Sequence, residues 1–210
     1  MSYIDCDYLL NGYVGGDCPP MSQGYEIEGL VMAYDDIDWT ETIVTDADQS
    51  NVVQAIVLKS GKQAYPIKQR VNQPFSGSTS EMNAGTLRNT FTHNVSFVLL
   101  EDSPASAGFV DVLTNGKFVV VLKNAQKSTA NLSGTTPYHS QKYPVFGLFN
   151  GLKASAVSRD PYGDQNGGWT VTLTETDSPS AGIFLWPDAG TDAAADAAYE
   201  ALKTPATTKP

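Results

Sequence analysis

Short runs in which apolar and polar positions alternate recur along the chain, the period of strands with one buried face. The pattern is densest from Pro144 to Thr176. Val145, Phe146, Leu148 and Phe149 come first, a turn follows at Asn150-Gly151, and apolar character resumes from Leu152 to Val157. Asp160 to Gly168 then supplies one proline and three glycines, residues that fix or free φ where a chain reverses. Beyond it Trp169, Val171 and Leu173 alternate with Thr170, Thr172 and Thr174. The spacing predicts three short strands that close the fold as an antiparallel meander. Trp169, Val171, Leu173, Phe146 and Leu148 are its expected core residues.

Earlier segments extend the same pattern. Residues 1–24 read as an irregular arm, because Asn11-Gly12, Gly15-Gly16 and Pro19-Pro20 interrupt every apolar group. Tyr8, Leu9 and Leu10 make that arm too apolar for a free tail, so it is expected to pack on a neighbouring element or subunit. Tyr25 to Tyr34 predicts a strand with an acidic exit at Asp35 to Trp39. Val52 to Leu58, a Ser60-Gly61 turn and Lys62 to Val71 predict a hairpin. Asn72 to Asn89 carries only Phe75, Met82 and Leu87 as apolar anchors. A structureless loop of that length inside a compact domain is uncommon and usually functional. It predicts a subunit interface built from Asn72, Phe75, Met82, Leu87 and Asn89, together with Tyr8, Leu9 and Leu10 of the arm.

Phe91 to Leu100 reads as a strand. Ser103-Pro104 starts a helix, with an apolar stripe of Phe109, Val110, Val112 and Leu113 before Asn115-Gly116 stops it. Lys117 to Lys123 reads as a buried strand and Ala125 to Tyr143 as a polar excursion. Thr191 to Lys203 is alanine-rich, with Asp192 and Asp196 near its start and Lys203 near its end, as a helix dipole prefers. Thr204 to Pro210 is expected to be loose. The expected fold is mainly β: an antiparallel β-sandwich or barrel-like domain with one packed α-helix, long loops and a C-terminal Ala-rich helix. The expected division is an N-terminal arm at 1–24, a domain at 25–187 and a C-terminal extension at 188–210.

Composition narrows the function classes. With 41% hydrophobic and 17% charged residues in 210, the chain has enough apolar material for a proper core. Thirteen basic against 23 acidic residues give a net charge of −10, which argues against a surface that grips phosphates. The longest apolar run, Phe118 to Leu122, is far shorter than the roughly 20 helical residues that span a bilayer. Asp5 and Asp7, with no basic residue in the first ten, do not read as a secretory signal, so production in the cytoplasm is expected. Cys6 and Cys18 are then expected as reduced thiols.

Candidate chemistry is sparse. Asp35, Asp36, Asp38 and Glu41 bring together carboxylates of the kind that ligate calcium or act as an acid–base pair, although acidic loop ends are ordinarily solvated. Asp46-x-Asp48-x-Ser50 starts like a calcium loop but has Asn51 for the turn glycine and Val57 for the closing glutamate. His93 and His139 show no metal-ligand spacing with Cys6 or Cys18, and His93 falls on an apolar strand face, the usual place of a hydrogen-bonded core histidine. Phosphate-loop, nucleophile-elbow and dinucleotide motifs are absent. Lys59, Lys62, Lys68 and Arg70 would form a solvated cluster or meet an acidic neighbour or DNA, the acidic neighbour being the better of these two partners in so acidic a chain. Tyr25, Trp39, Tyr138, Trp169 and Trp186 suit either a carbohydrate or peptide platform or the core. No catalytic residue, metal or cofactor is expected.

The segment Gly147-x-x-x-Gly151-Leu152, a Gly-rich turn and Gly168-Trp169-Thr170-Val171-Thr172-Leu173-Thr174 resembles the closing part of structural proteins from tailed bacteriophages. Two earlier pieces resemble the same group. One is the Cys6 to Cys18 opening followed by Tyr34-Asp35-Asp36-Ile37-Asp38; the other is Asn51 to Tyr65 with its Leu58-Lys59-Ser60-Gly61-Lys62 turn. Together they touch less than half of the chain. The resemblance implies a non-enzymatic tail-tube or tail-tube-like ring protein, a β-sandwich with a flanking helix whose inner sheet joins its neighbours into a ring. Its partners would be copies of itself and other virion proteins, with DNA only as non-specific transiting cargo and no membrane. Its place would be the virion after synthesis in the host cytoplasm. A negative charge suits such a conduit, since carboxylates lining a lumen would let DNA slide. A head decoration or neck protein and a carbohydrate- or peptide-binding β-sandwich are the alternatives, and an enzyme is the poorest.

Overall fold

A computed structural model describes residues 24–44, 51–69, 74–125, 142–160, 162, 168–187 and 191–207. Their order is β1 (Glu28–Ala33), β2 (Val52–Val53), β3 (Tyr65–Lys68), β4 (Thr79–Asn83), β5 (Thr90–Leu99), α1 (Pro104–Asn115), β6 (Phe118–Val121), β7 (Pro144–Phe146), β8 (Lys153–Arg159), β9 (Trp169–Ser178), β10 (Ile183–Leu185) and α2 (Asp192–Ala201). The protein is mainly β, with two sheets and two α-helices among the described residues.

One sheet has six strands in the order β2-β10-β7-β6-β1-β3, and the other has four in the order β4-β5-β9-β8. Between them Val31, Val120 and Phe146 of the first sheet meet Val95, Phe97, Val171 and Leu173 of the second, with Val110 and Leu113 of α1. The opposite face of the first sheet, through Leu30, Met32, Val119 and Val121, packs with Trp186 and with Ala195, Tyr199 and Leu202 of the α2 region. The first sheet is therefore covered twice, which explains why Leu30 to Met32 and Phe118 to Val121 are uninterrupted apolar runs. β9 alternates because its outward threonines lie outside this core.

Local helix signals act where the sequence places them. Ser103 caps α1, its hydroxyl accepting from the Ser106 amide while Ser106 Oγ accepts from the Ser103 amide, and Pro104 follows. The Thr191 hydroxyl accepts from the Ala194 amide to cap α2. Val112 of the expected stripe turns outward and is 60% exposed.

Several strand pairings differ from the sequence expectation. The hairpin from Val52 to Val71 does not form, because β2 and β3 lie at opposite edges of the six-stranded sheet. Residues 54–59 bond instead to 36–43, with the Asp38 amide donating to Val57 O at 2.8 Å and the Gln54 amide to Ile43 O at 2.9 Å. β3 pairs with β1, and β2 runs parallel to β10, so the fold is not wholly antiparallel. The closing meander is likewise divided: β7 belongs to the first sheet, β8 and β9 to the second. Among the described residues both sheets are open and no barrel closes. Within Asn72 to Asn89, Thr79–Asn83 pairs with β5, so the segment is not one structureless loop. The tail is pinned at Ala206, whose amide donates to Lys62 O and whose carbonyl accepts from the Gly61 amide.

Candidate functional site

The acidic group after β1 is used locally. Asp36 pairs with Lys62 at 3.0 Å, and Lys59 Nζ donates to the Asp35 carbonyl at 2.6 Å. The Asp38 carboxylate accepts from the Thr40 hydroxyl at 2.6 Å and its amide at 3.0 Å, bonds that hold this carboxyl below its ordinary value. Among the described residues no His, Cys, Asp or Glu group is arranged to hold a metal. Lys68 faces Glu28 at 3.9 Å, so the described members of the basic cluster face acidic or carbonyl oxygens of their own chain. Cys6, Cys18, Asp46, Asp48, Ser50, Arg70, Tyr138 and His139 lie outside the described residues, as do Tyr8, Leu9, Leu10 and Asn72.

His93 is buried among apolar neighbours. Its Nε2 meets the Ser180 carbonyl at 2.9 Å and its Nδ1 the Ser80 hydroxyl at 2.8 Å. Since a carbonyl only accepts, Nε2 is the donor to Ser180, and the Ser80 hydroxyl is the partner of Nδ1. This is a satisfied core histidine that ties β4 and the turn after β9 to β5.

The aromatic residues do not converge. Tyr25 stands edge-on to Phe75 and Phe146, each at 6.4 Å, whereas Trp186 is 2% exposed on the other side of the first sheet. Trp39 packs on Tyr34 at 4.8 Å, and Trp169 is half-buried at the rim of the inter-sheet core with Arg159 over its ring. Val171, Leu173, Phe146 and Leu148 are buried.

Sequence reasoning missed Glu175, which is 2% exposed. From β9 it reaches the turn that carries the chain from one sheet to the other, accepting from the Gly147 amide at 3.1 Å and the Asn150 amide at 2.8 Å. Tyr34 donates its hydroxyl to Phe149 O at 2.8 Å, and Asn150 Nδ2 donates to the Thr176 carbonyl at 2.9 Å. Gly147 and Gly151 have φ of 80° and 71°, and a Cβ at Gly147 would lie 2.6 Å from Phe118 O. The Gly-x-x-x-Gly spacing thus has a backbone cause. One signal was readable: Glu175 continues the inward phase of Trp169, Val171 and Leu173, where a carboxylate needs donors.

α2 is held by a polar clasp. Tyr143 and Tyr199 stack at 4.6 Å, the Tyr143 hydroxyl donates to Asp196 at 2.5 Å, Lys142 pairs with Asp196, and Lys203 bonds Glu28 and Glu200. Burial and the Asp196 hydrogen bond push the Tyr143 hydroxyl far above its ordinary range. Burial raises the Asp196 carboxyl, but the hydrogen bonds from Lys142 and Tyr143 and the nearby lysine charges outweigh it, so the carboxyl ends below 3.8. A carboxyl depressed in the folded state contributes stability above its unfolded value and loses it as pH falls through the folded one. Melting temperatures of wild type and Asp196→Asn are expected to differ at neutral pH and to converge below about pH 4. A constant gap down to lower pH would show that Asp196 titrates normally.

Two surface features remain. The first is the arm formed by β4, the connection at residues 84–89 and the start of β5. β4 is an edge strand, and all of residues 79–89 are exposed. Met82 is 58% exposed and Leu87 100%, while Arg88 makes no ion pair among the described residues. Asn89 is also exposed and accepts from the Gly85 amide. Phe75, expected at an interface, instead turns inward with φ 55° and is buried between the sheets, where apolar area is removed from water without any partner. The second feature is a cleft of about 770 Å³ between α2 and residues 54–60. Its walls include Ile56, Leu58, Leu185, Ala198, Ala201 and Leu202, and Asp38, Glu41 and Lys59 line it as well. Among the described residues no helix is long and apolar enough to cross a membrane. Compared with known proteins, the chain matches no family model, no curated protein and no solved structure.

Proposed function

We propose that the protein is a non-enzymatic structural subunit that assembles with copies of itself through the β4–β5 arm. The observation that carries this reading is the arm's exposure. An edge strand offers unpaired backbone donors and acceptors to another chain, and β4 has neither the proline nor the lysine that commonly protects such an edge. A fully exposed leucine at the connection adds apolar surface that a partner would cover.

Together with the likeness of residues 147–174 to tailed-phage structural proteins, this favours a subunit of a virion, a tail tube or a tail-tube-like ring. The two sheets are read as a β-sandwich, with its four-stranded half presenting the open edge. Other virion proteins would be further partners, and DNA would pass as non-specific cargo repelled on average by a net charge of −10. A head decoration or neck protein is the competing placement within a virion. Negative-stain electron micrographs of the purified protein separate them, since hollow rings or tubes are expected for a conduit.

The arm also has a direct test. Replacing residues 84–89 by a two-residue Asn-Gly turn is expected to leave the melting temperature within about 2 °C of wild type, as for surface changes away from the core. Assembly in sedimentation velocity is expected to be lost. A deletion that begins at Asn72 would instead remove Phe75 and part of the core. Wild-type assemblies formed by the shortened variant would take this connection out of the interface.

A further inference from the structure

We propose that Leu87 and Arg88 of one copy dock into the cleft between α2 and residues 54–60 of a second copy. This inference rests on the assembly reading and names its acceptor surface. Leu87 is fully exposed, and the cleft offers Ile56, Leu58, Leu185 and Leu202 beside a helix face of Ala194, Ala198 and Ala201. Those alanines recur at spacings of four and three, so they share one side of α2 and leave room for an incoming side chain.

Charge orients the contact. Arg88 makes no ion pair among the described residues, and Asp38 and Glu41 line the cleft together with Lys59, whose Nζ is turned to the Asp35 carbonyl, so carboxylates outnumber the one cation two to one among the charged lining groups. A guanidinium that follows the buried leucine would meet those carboxylates, and in so acidic a chain such cations are the minority that fix register.

Topology assigns the contact to different copies. The arm extends from the four-stranded sheet, whereas the cleft lies beside α2, on the side of the six-stranded sheet that faces away from it. Two different patches of one chain are thus matched to each other, a heterologous head-to-tail contact. Repetition of such a contact generates a closed ring or an open filament.

Disulfide trapping tests the pairing. In a Cys6→Ser, Cys18→Ser background, Leu87→Cys chains mixed with Ala201→Cys chains and mildly oxidised are expected to give a covalent pair. Leu87→Cys mixed with Val112→Cys, on the exposed side of α1, is expected to give none. Leu87→Asp should raise the concentration for half-assembly by at least about tenfold, the loss expected when a leucine is no longer buried. Arg88→Glu and Glu41→Lys should each weaken assembly and together restore it, a rescue that simple misfolding does not produce. Wild-type assembly without the specific crosslink, and with Leu87→Asp as competent as wild type, overturns the docking while leaving assembly intact. A wild type that stays monomeric at every concentration overturns both, and Leu87→Cys chains that crosslink with Ser80→Cys chains of β4 but not with Ala201→Cys chains redirect the contact to the strand edge and overturn this one.

Discussion

Glu175→Ala is expected to remove a large share of the folding stability, although no chemistry depends on this residue. Its carboxylate accepts from two amides of the turn that joins the sheets, and truncation leaves both donors beside a small cavity. The Gly147 donor is buried and the Asn150 donor part-buried; at about 1 to 3 kcal/mol for each orphaned donor, a loss of about 2 to 6 is expected against a whole-domain stability of roughly 5 to 15. Glu175→Gln keeps one acceptor oxygen and is expected to lose about half as much. Urea unfolding followed by circular dichroism gives both values. An alanine variant as stable as the glutamine variant would mean that the two amides find other partners, and the turn would not depend on the carboxylate.

Trp186→Ala is the second change with a large expected effect. The ring is almost entirely buried with the α2 side of the first sheet, and the Trp186 amide donates to Val53 O at 2.9 Å, next to the parallel pairing of β10 with β2. Truncation of a core tryptophan costs about 3 to 5 kcal/mol through lost transfer energy and the cavity left behind. Trp169→Ala is expected to cost about half of that, because the Trp169 ring sits half-buried at the rim and solvent can fill part of the space. The order of the two melting temperatures decides the matter, with Trp186→Ala the lower. The reverse order would mean that the rim of the inter-sheet core, under the Arg159 guanidinium, contributes more than its burial suggests.

Glu175 and Trp186 both take their weight from segments distant in the chain, where local pattern no longer decides the structure. Elements with strong local causes were legible: the alternation from Trp169 to Leu173, the capped start at Ser103-Pro104, the alanine-rich helix after Thr191, and the apolar run at Phe118. The exposure of Met82 and Leu87 was also legible, because a polar segment with few anchors has little to bury. Pairing was not legible. Val52 to Leu58 and Lys62 to Val71 read as a hairpin because they are adjacent. In the fold, residues 54–59 satisfy hydrogen bonds on 36–43, and β3 joins β1. Strand partners are set by which faces bury one another and which backbone groups find a mate, and neither depends on closeness in sequence. For the same reason Phe75 passed for an interface anchor until the space between the sheets was known, and nothing near Glu175 in the sequence points to the Gly147 and Asn150 amides that the fold brings to it.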